Sequence, residues 1–130
     1  MAVSATAREN HETLFPGHVS SLAVTDPELV EVFDNFAFDE VFRHSSLDTR
    51  ARHMVQLAAL IVCGALSEYR VTLRAALTVG VTPVEAKEII YPAVPYVGMG
   101  RVFDFLNTTN QVLSERGIPL PLEGESTTTP

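Results

Sequence analysis

The stretch Thr82-Pro83-Val84-Glu85 constrains this chain more than any other. A threonine hydroxyl can accept a hydrogen bond from the N–H three residues on, and a glutamate there can reach back to the threonine N–H. Proline follows at the one helical position where its missing N–H is harmless, so a helix is predicted to begin here. Just upstream, Gly80 suits the left-handed residue that closes a preceding helix, predicted over 67–79. A helix, a short loop and another helix are thus written into the middle of the sequence.

The same punctuation recurs on both sides. Thr25-Asp26-Pro27-Glu28 opens a helix whose Leu29, Val32, Phe33 and Phe36 form one apolar stripe, able to run on through Val41 and Phe42. His44-Ser45-Ser46 interrupts it, and Ser46 or Asp48 can cap a helix over 49–63. That helix starts charged (Arg50, Arg52, His53) and continues apolar on nearly every side, which places it at the centre of a bundle. Beyond the capped helix, Pro92 and Pro95 are expected to kink or end it, and Gly98 with Gly100 to form a hinge. A last helix, 101–116, carries Val102, Phe103, Leu106 and Leu113 on a stripe and stops at Gly117. Near the start, Pro16-Gly17 marks a break after a short helix, or an arm lying on a neighbour, over 9–15. No strand pattern or internal repeat stands out. The expected layout is an N-terminal arm or short helix (1–24), a helical domain (25–117) and a flexible tail (118–130). The expected fold is an all-α bundle of about five to six helices.

Composition narrows the classes of function. With 130 residues there is room for one core, and 46% hydrophobic against 19% charged residues leaves an apolar surplus that another subunit could cover. A homo-oligomer is therefore expected. A net charge of −7 without a Lys/Arg cluster argues against nucleic acid and anionic membrane as partners. The single cysteine, Cys63, allows no internal disulfide and no thiolate metal site. Among His11, His18, His44 and His53 no pair has the helical spacing of three or four that sets two imidazoles on one metal, so no metal is expected. The first residues lack the layout of a secretory signal, and the apolar run 54–66 is too short to span a bilayer. A cytoplasmic location is the expectation.

Three side chains carry the candidate chemistry. Cys63, within an apolar run, reads as a buried structural thiol. His53 sits at the polar end of the central helix, solvated or hydrogen-bonded. Glu68 opens its helix with Thr72 one turn on, on the same face. An acid there stabilises the helix dipole, and in an apolar setting its raised pKa would also suit a proton shuttle.

The residues from Leu47 onward resemble the carboxymuconolactone decarboxylase family of alkylhydroperoxidase-like proteins. Leu47-Asp48-Thr49-Arg50-Ala51-Arg52 is similar to the start of its central helix. Ser67-Glu68-Tyr69-Arg70-Val71-Thr72-Leu73-Arg74 resembles its signature helix, and Pro95-Tyr96-Val97-Gly98 its Tyr-x-Gly hinge. Phe36-Ala37-Phe38-Asp39-Glu40-Val41-Phe42 resembles the aromatic–acidic segment of the decarboxylases. The likeness spans roughly residues 26 to 116. It implies an all-helical trimer or hexamer acting on a small-molecule substrate without a cofactor, as a lyase of aromatic catabolism. The peroxidase branch carries a Cys-x-x-Cys pair where this chain has Ala65 and Glu68.

The resemblance implies Glu68 as proton donor, Arg52 as the cation for a carboxylate, and Thr72, in place of a family histidine, as a group that positions water. Phe38, Phe42 and Tyr96 are expected to wall the substrate, with His53 at its edge. The alternatives are a non-catalytic small-molecule binding or structural oligomer and, more remotely, a thiol-dependent peroxidase using Cys63.

Overall fold

The computed structural model describes residues 2–123, which form helices, turns and loops with no strand among them. The chain divides at Asp48/Thr49 into two compact units.

In the N-terminal unit, α1 (Ala5–Leu14) is capped by Ser4, whose hydroxyl accepts from the Ala7 N–H. A single turn, α2 (Leu22–Thr25), precedes α3 (Pro27–Asn35), a π-helical turn (Phe36–Glu40) and α4 (Val41–His44). α1 begins earlier than expected and docks on its own chain. The Ser4 N–H donates to Asn35 (2.8 Å) and its hydroxyl to Asp39 (2.8 Å), while the Asn10 amide donates to the Phe38 carbonyl (2.7 Å). A π turn shifts the backbone register to i→i+5, with Val41 N–H bonded to the Phe36 carbonyl. The Phe38 ring is buried and meets His11, Phe15 and Phe33 edge-on. The stripe Leu29, Val32, Phe33 and Phe36 stays exposed.

The second unit is built from α5 (Thr49–Cys63), α6 (Leu66–Thr78), α7 (Pro83–Val97) and α8 (Met99–Glu115). Both bonds of the capping box at Thr82 are present, at 3.0 and 3.1 Å. Only Gly64-Ala65 separates α5 from α6, and only Gly98 separates α7 from α8, so each pair doubles back on itself. α6 and α8 run side by side in the same direction, because Tyr69 meets Phe105 and Thr109, Arg70 bonds Gln111 and Arg74 bonds Glu115. An Arg50–Glu85 ion pair ties the start of α5 to the start of α7. The result is an up-down-up-down bundle around Leu57, Ile61, Tyr69, Leu73, Ile90 and Val112.

Four expectations need correction. α7 runs through Pro92 and Pro95 to Val97. Both prolines lie on its exposed face with Glu88 and Tyr91, the residues whose carbonyls they leave without an N–H partner, and there water can take over. Gly100 is no hinge but part of the first turn of α8; Gly98, at φ +90°, makes the whole reversal. α5 is not buried all round, since Val55, Ala59 and Val62 are exposed. Cys63 at its end is exposed too, because the core-facing row of α5 passes through Leu57 and Ile61 and misses it. Of the tail, Leu122 is buried, and 124–130 lie outside the described residues.

Candidate active site

The bundle distributes its chemistry between two ends. One end gathers the starts of α5 and α7 and the close of α6 and α8. Three ionisable side chains are buried there: Arg52 (7% exposed), His53 (3%) and Lys87 (7%). Arg52 and Lys87 each have partners within the chain. His53 Nδ1 lies 2.7 Å from the Thr49 carbonyl one turn back. A carbonyl only accepts, so Nδ1 carries the proton and Nε2 holds the lone pair of the neutral ring. Burial pushes the His53 pKa below its ordinary value, against the pull of the Thr49 bond and helped by the Arg52 charge.

The other end holds Glu68, exposed in the first turn of α6; Thr72, half-buried one turn on; Tyr96, 85% exposed; and Cys63. The Arg101 guanidinium lies so close over Gly64 that a Cβ there would come within 2.5 Å of it, which pins the start of α8 to the end of α5. Arg52 precedes Cys63 by eleven residues on α5, about 16 Å of helix at ~1.5 Å per residue. Because α6 turns back from that far end, a single chain keeps Glu68 apart from Arg52. It does bring Arg52 and His53 together. Phe38, buried, and Phe42, half-buried, belong to the N-terminal unit.

Two shallow, open depressions lie elsewhere, one along Phe36, Glu40, Val41, His44 and Ser45, the other along Asn110, Gln111, Ser114 and Glu115. Sequence reasoning passed over Lys87, although it falls beside Ala86 and Ile90 on the inward row of α7. It also missed that the turn at Pro16-Gly17 folds His18 back onto His11, ring centroids 5.7 Å apart, a contact that helical spacing cannot reveal. Among the described residues no three His, Cys, Asp or Glu side chains gather in a metal-holding group, and no helix is long and apolar enough to cross a membrane.

Together these features define an all-helical protein whose second unit buries a guanidinium beside an imidazole held neutral. The model of the carboxymuconolactone decarboxylase family matches residues 27–111, and the chain belongs to that family. It is 32% identical over 83 residues to 4-carboxymuconolactone decarboxylase of Acinetobacter baylyi, a match covering 64% of this chain and 62% of that protein. The chain therefore spans less than two thirds of the length of that relative.

Proposed function

We propose that this protein is a cofactor-free lyase that removes CO2 from a small carboxylated lactone or a related acid. The observation that carries the reading is the buried Arg52 at the start of α5, in a chain whose family and curated relative bear the name of this reaction. A guanidinium away from bulk water grips a carboxylate through two parallel N–H bonds and fixes its plane. Loss of CO2 leaves an electron pair that flows into the conjugated lactone carbonyl, and the carbon is then protonated. The chain must supply a cation, a proton and shelter from water. The working form is a homo-oligomer, trimer or hexamer, in which the exposed apolar stripe of α3 and the Val55–Val62 face of α5 meet other subunits.

Glu68, Thr72 and Tyr96 enter such a site only if a second subunit brings its own far end to Arg52. Mixed oligomers of Arg52→Gln and Glu68→Gln chains test this: activity returning on mixing supports a shared site, and none returning places the chemistry within one subunit. The function itself is tested by CO2 release from a panel of carboxylated lactones and β-keto acids. Release by the wild type that Arg52→Gln abolishes supports it.

A non-catalytic binding protein on the same fold is the second reading. It is favoured by the exposure of Glu68 and the distance of its helix end from Arg52 within one chain. Binding of the panel without product would select it.

A further inference from the structure

We infer that the acidic, aromatic ridge of α3 docks on the arginine-lined outer face of α6 and α8 of a second copy of this chain. The inference rests on the oligomer of the reading above, not on its reaction. It names the two surfaces that meet and the charge that selects them.

The sequence divides its charge unevenly. Residues 1–48 hold nine acids and two arginines, whereas residues 49–130 hold seven acids and seven bases. The whole net charge of −7 therefore belongs to the N-terminal unit. That unit also presents the α3 ridge, where Leu29, Val32, Phe33 and Phe36 are each more than half exposed. Glu28 stands one turn before Val32, and Glu40 follows Phe36 by one turn; both carboxylates face water. An exposed apolar ridge of this length calls for a partner. A second α3 ridge is a poor one, because the like charges of two N-terminal units would be brought together.

The complement lies on the other unit. Its Arg52 and Lys87 are buried, and Arg50 is paired with Glu85. On the outer face of α6 and α8, by contrast, three guanidiniums gather about one carboxylate. Arg74 (2.9 Å) and Arg70 (3.8 Å) share Glu115, and Arg116 donates to the Arg74 carbonyl (2.8 Å). One acid cannot neutralise three cations, so this face stays positive. Guanidiniums match both characters of the ridge: their planes stack on aromatic rings and their N–H groups bond carboxylates. Phe36 and Glu40 line one shallow depression, so ring and carboxylate are offered together. Glu115 and Gln111, the partners of Arg74 and Arg70, line the other. Reciprocal in a pair or repeated around a ring, the contact joins the same two unlike surfaces.

The test follows the mass of the full-length protein by sedimentation velocity across protein and NaCl concentrations. The wild type should associate, and about 0.5 M NaCl should weaken that association tenfold or more. Glu40→Lys and Arg74→Glu should each weaken it by about tenfold to a hundredfold. Mixed in equal amounts, these two variants should associate with each other about as tightly as the wild type. Across one contact the reversed charges then meet, and across the other the native ones. Should Arg74→Glu not fold beside Glu115, Phe36→Ser on the exposed ridge serves in its place and should lose association too. Association unchanged in Glu40→Lys and in Phe36→Ser overturns this interface. So does a Glu40→Lys chain rescued by wild type but not by Arg74→Glu, which is the mark of ridge meeting ridge. A wild type that stays monomeric at high concentration also overturns it. CO2 release, assayed on the same samples, judges the decarboxylase reading separately.

Discussion

The two ends of the four-helix unit share helices, packing and chain, yet treat their charged groups in opposite ways. At the end where α5 and α7 begin, Arg52, His53 and Lys87 are buried and the neighbouring Arg50 and Glu85 are paired. At the end where α6 and α8 begin, Glu68, Tyr96 and Cys63 face outward. Removing an ion from water costs several kcal/mol unless other interactions offset it. Partners within the chain meet both Arg52 and Lys87 there. Water-facing groups at the opposite end carry no such cost, and by themselves imply no chemistry.

The largest expected effect follows from that contrast. Arg52→Gln should lower turnover by about 10² to 10⁴, whereas Glu68→Gln should change it by less than about threefold in steady-state assays. An equal loss in Glu68→Gln breaks the comparison and calls for a site shared between subunits. Next comes the reversal at Gly98, whose φ of +90° and ψ of 142° lie where side chains are rarely tolerated. Gly98→Ala should cost about 1–3 kcal/mol in chemical denaturation, by straining the outward-facing end. At the buried end, Thr82→Ala removes the hydroxyl that accepts from the Glu85 N–H. It should cost about 0.5–2 kcal/mol, seen as a lower denaturant midpoint with unchanged slope.

The smallest effect is an acid limb. His53 is held neutral in the native state, so the unfolded chain binds that proton more readily. Its contribution to stability is complete above the ordinary value of 6.5 and is lost as pH falls from there through the depressed native value. Denaturant midpoints measured from pH 8 down to pH 5 should show this decline for the wild type, and His53→Gln should flatten it.

Much of this arrangement was legible in the sequence. The start of α5 follows from the Ser45–Asp48 interruption, and the start of α7 from its capping box, whose two bonds form within a few residues. The separation of Arg52 from Glu68 was legible as well, but only once direction is considered. Both residues stand near the start of their helices, and two helices joined by two residues must run opposite ways, so their starts lie at opposite ends. A family motif read along the chain conceals this. The continuation of α7 through Pro92 and Pro95 could not be read, because it depends on which face those prolines present to solvent. Nor could the tautomer of His53. The turn that points Nδ1 at Thr49 is local, but the burial that keeps the ring neutral comes from packing.

The brevity of the connections in the second unit has a kinetic consequence. α5 and α6 are joined by two residues and α7 and α8 by one, so each hairpin can close by searching a very small loop. The pairings of α5 with α7 and of α6 with α8, some thirty-five to forty positions apart, ask for a longer search. Chains dominated by such near-neighbour contacts reach their native state in microseconds to milliseconds. The helix hairpins should therefore form while later parts of the polypeptide are still being synthesised.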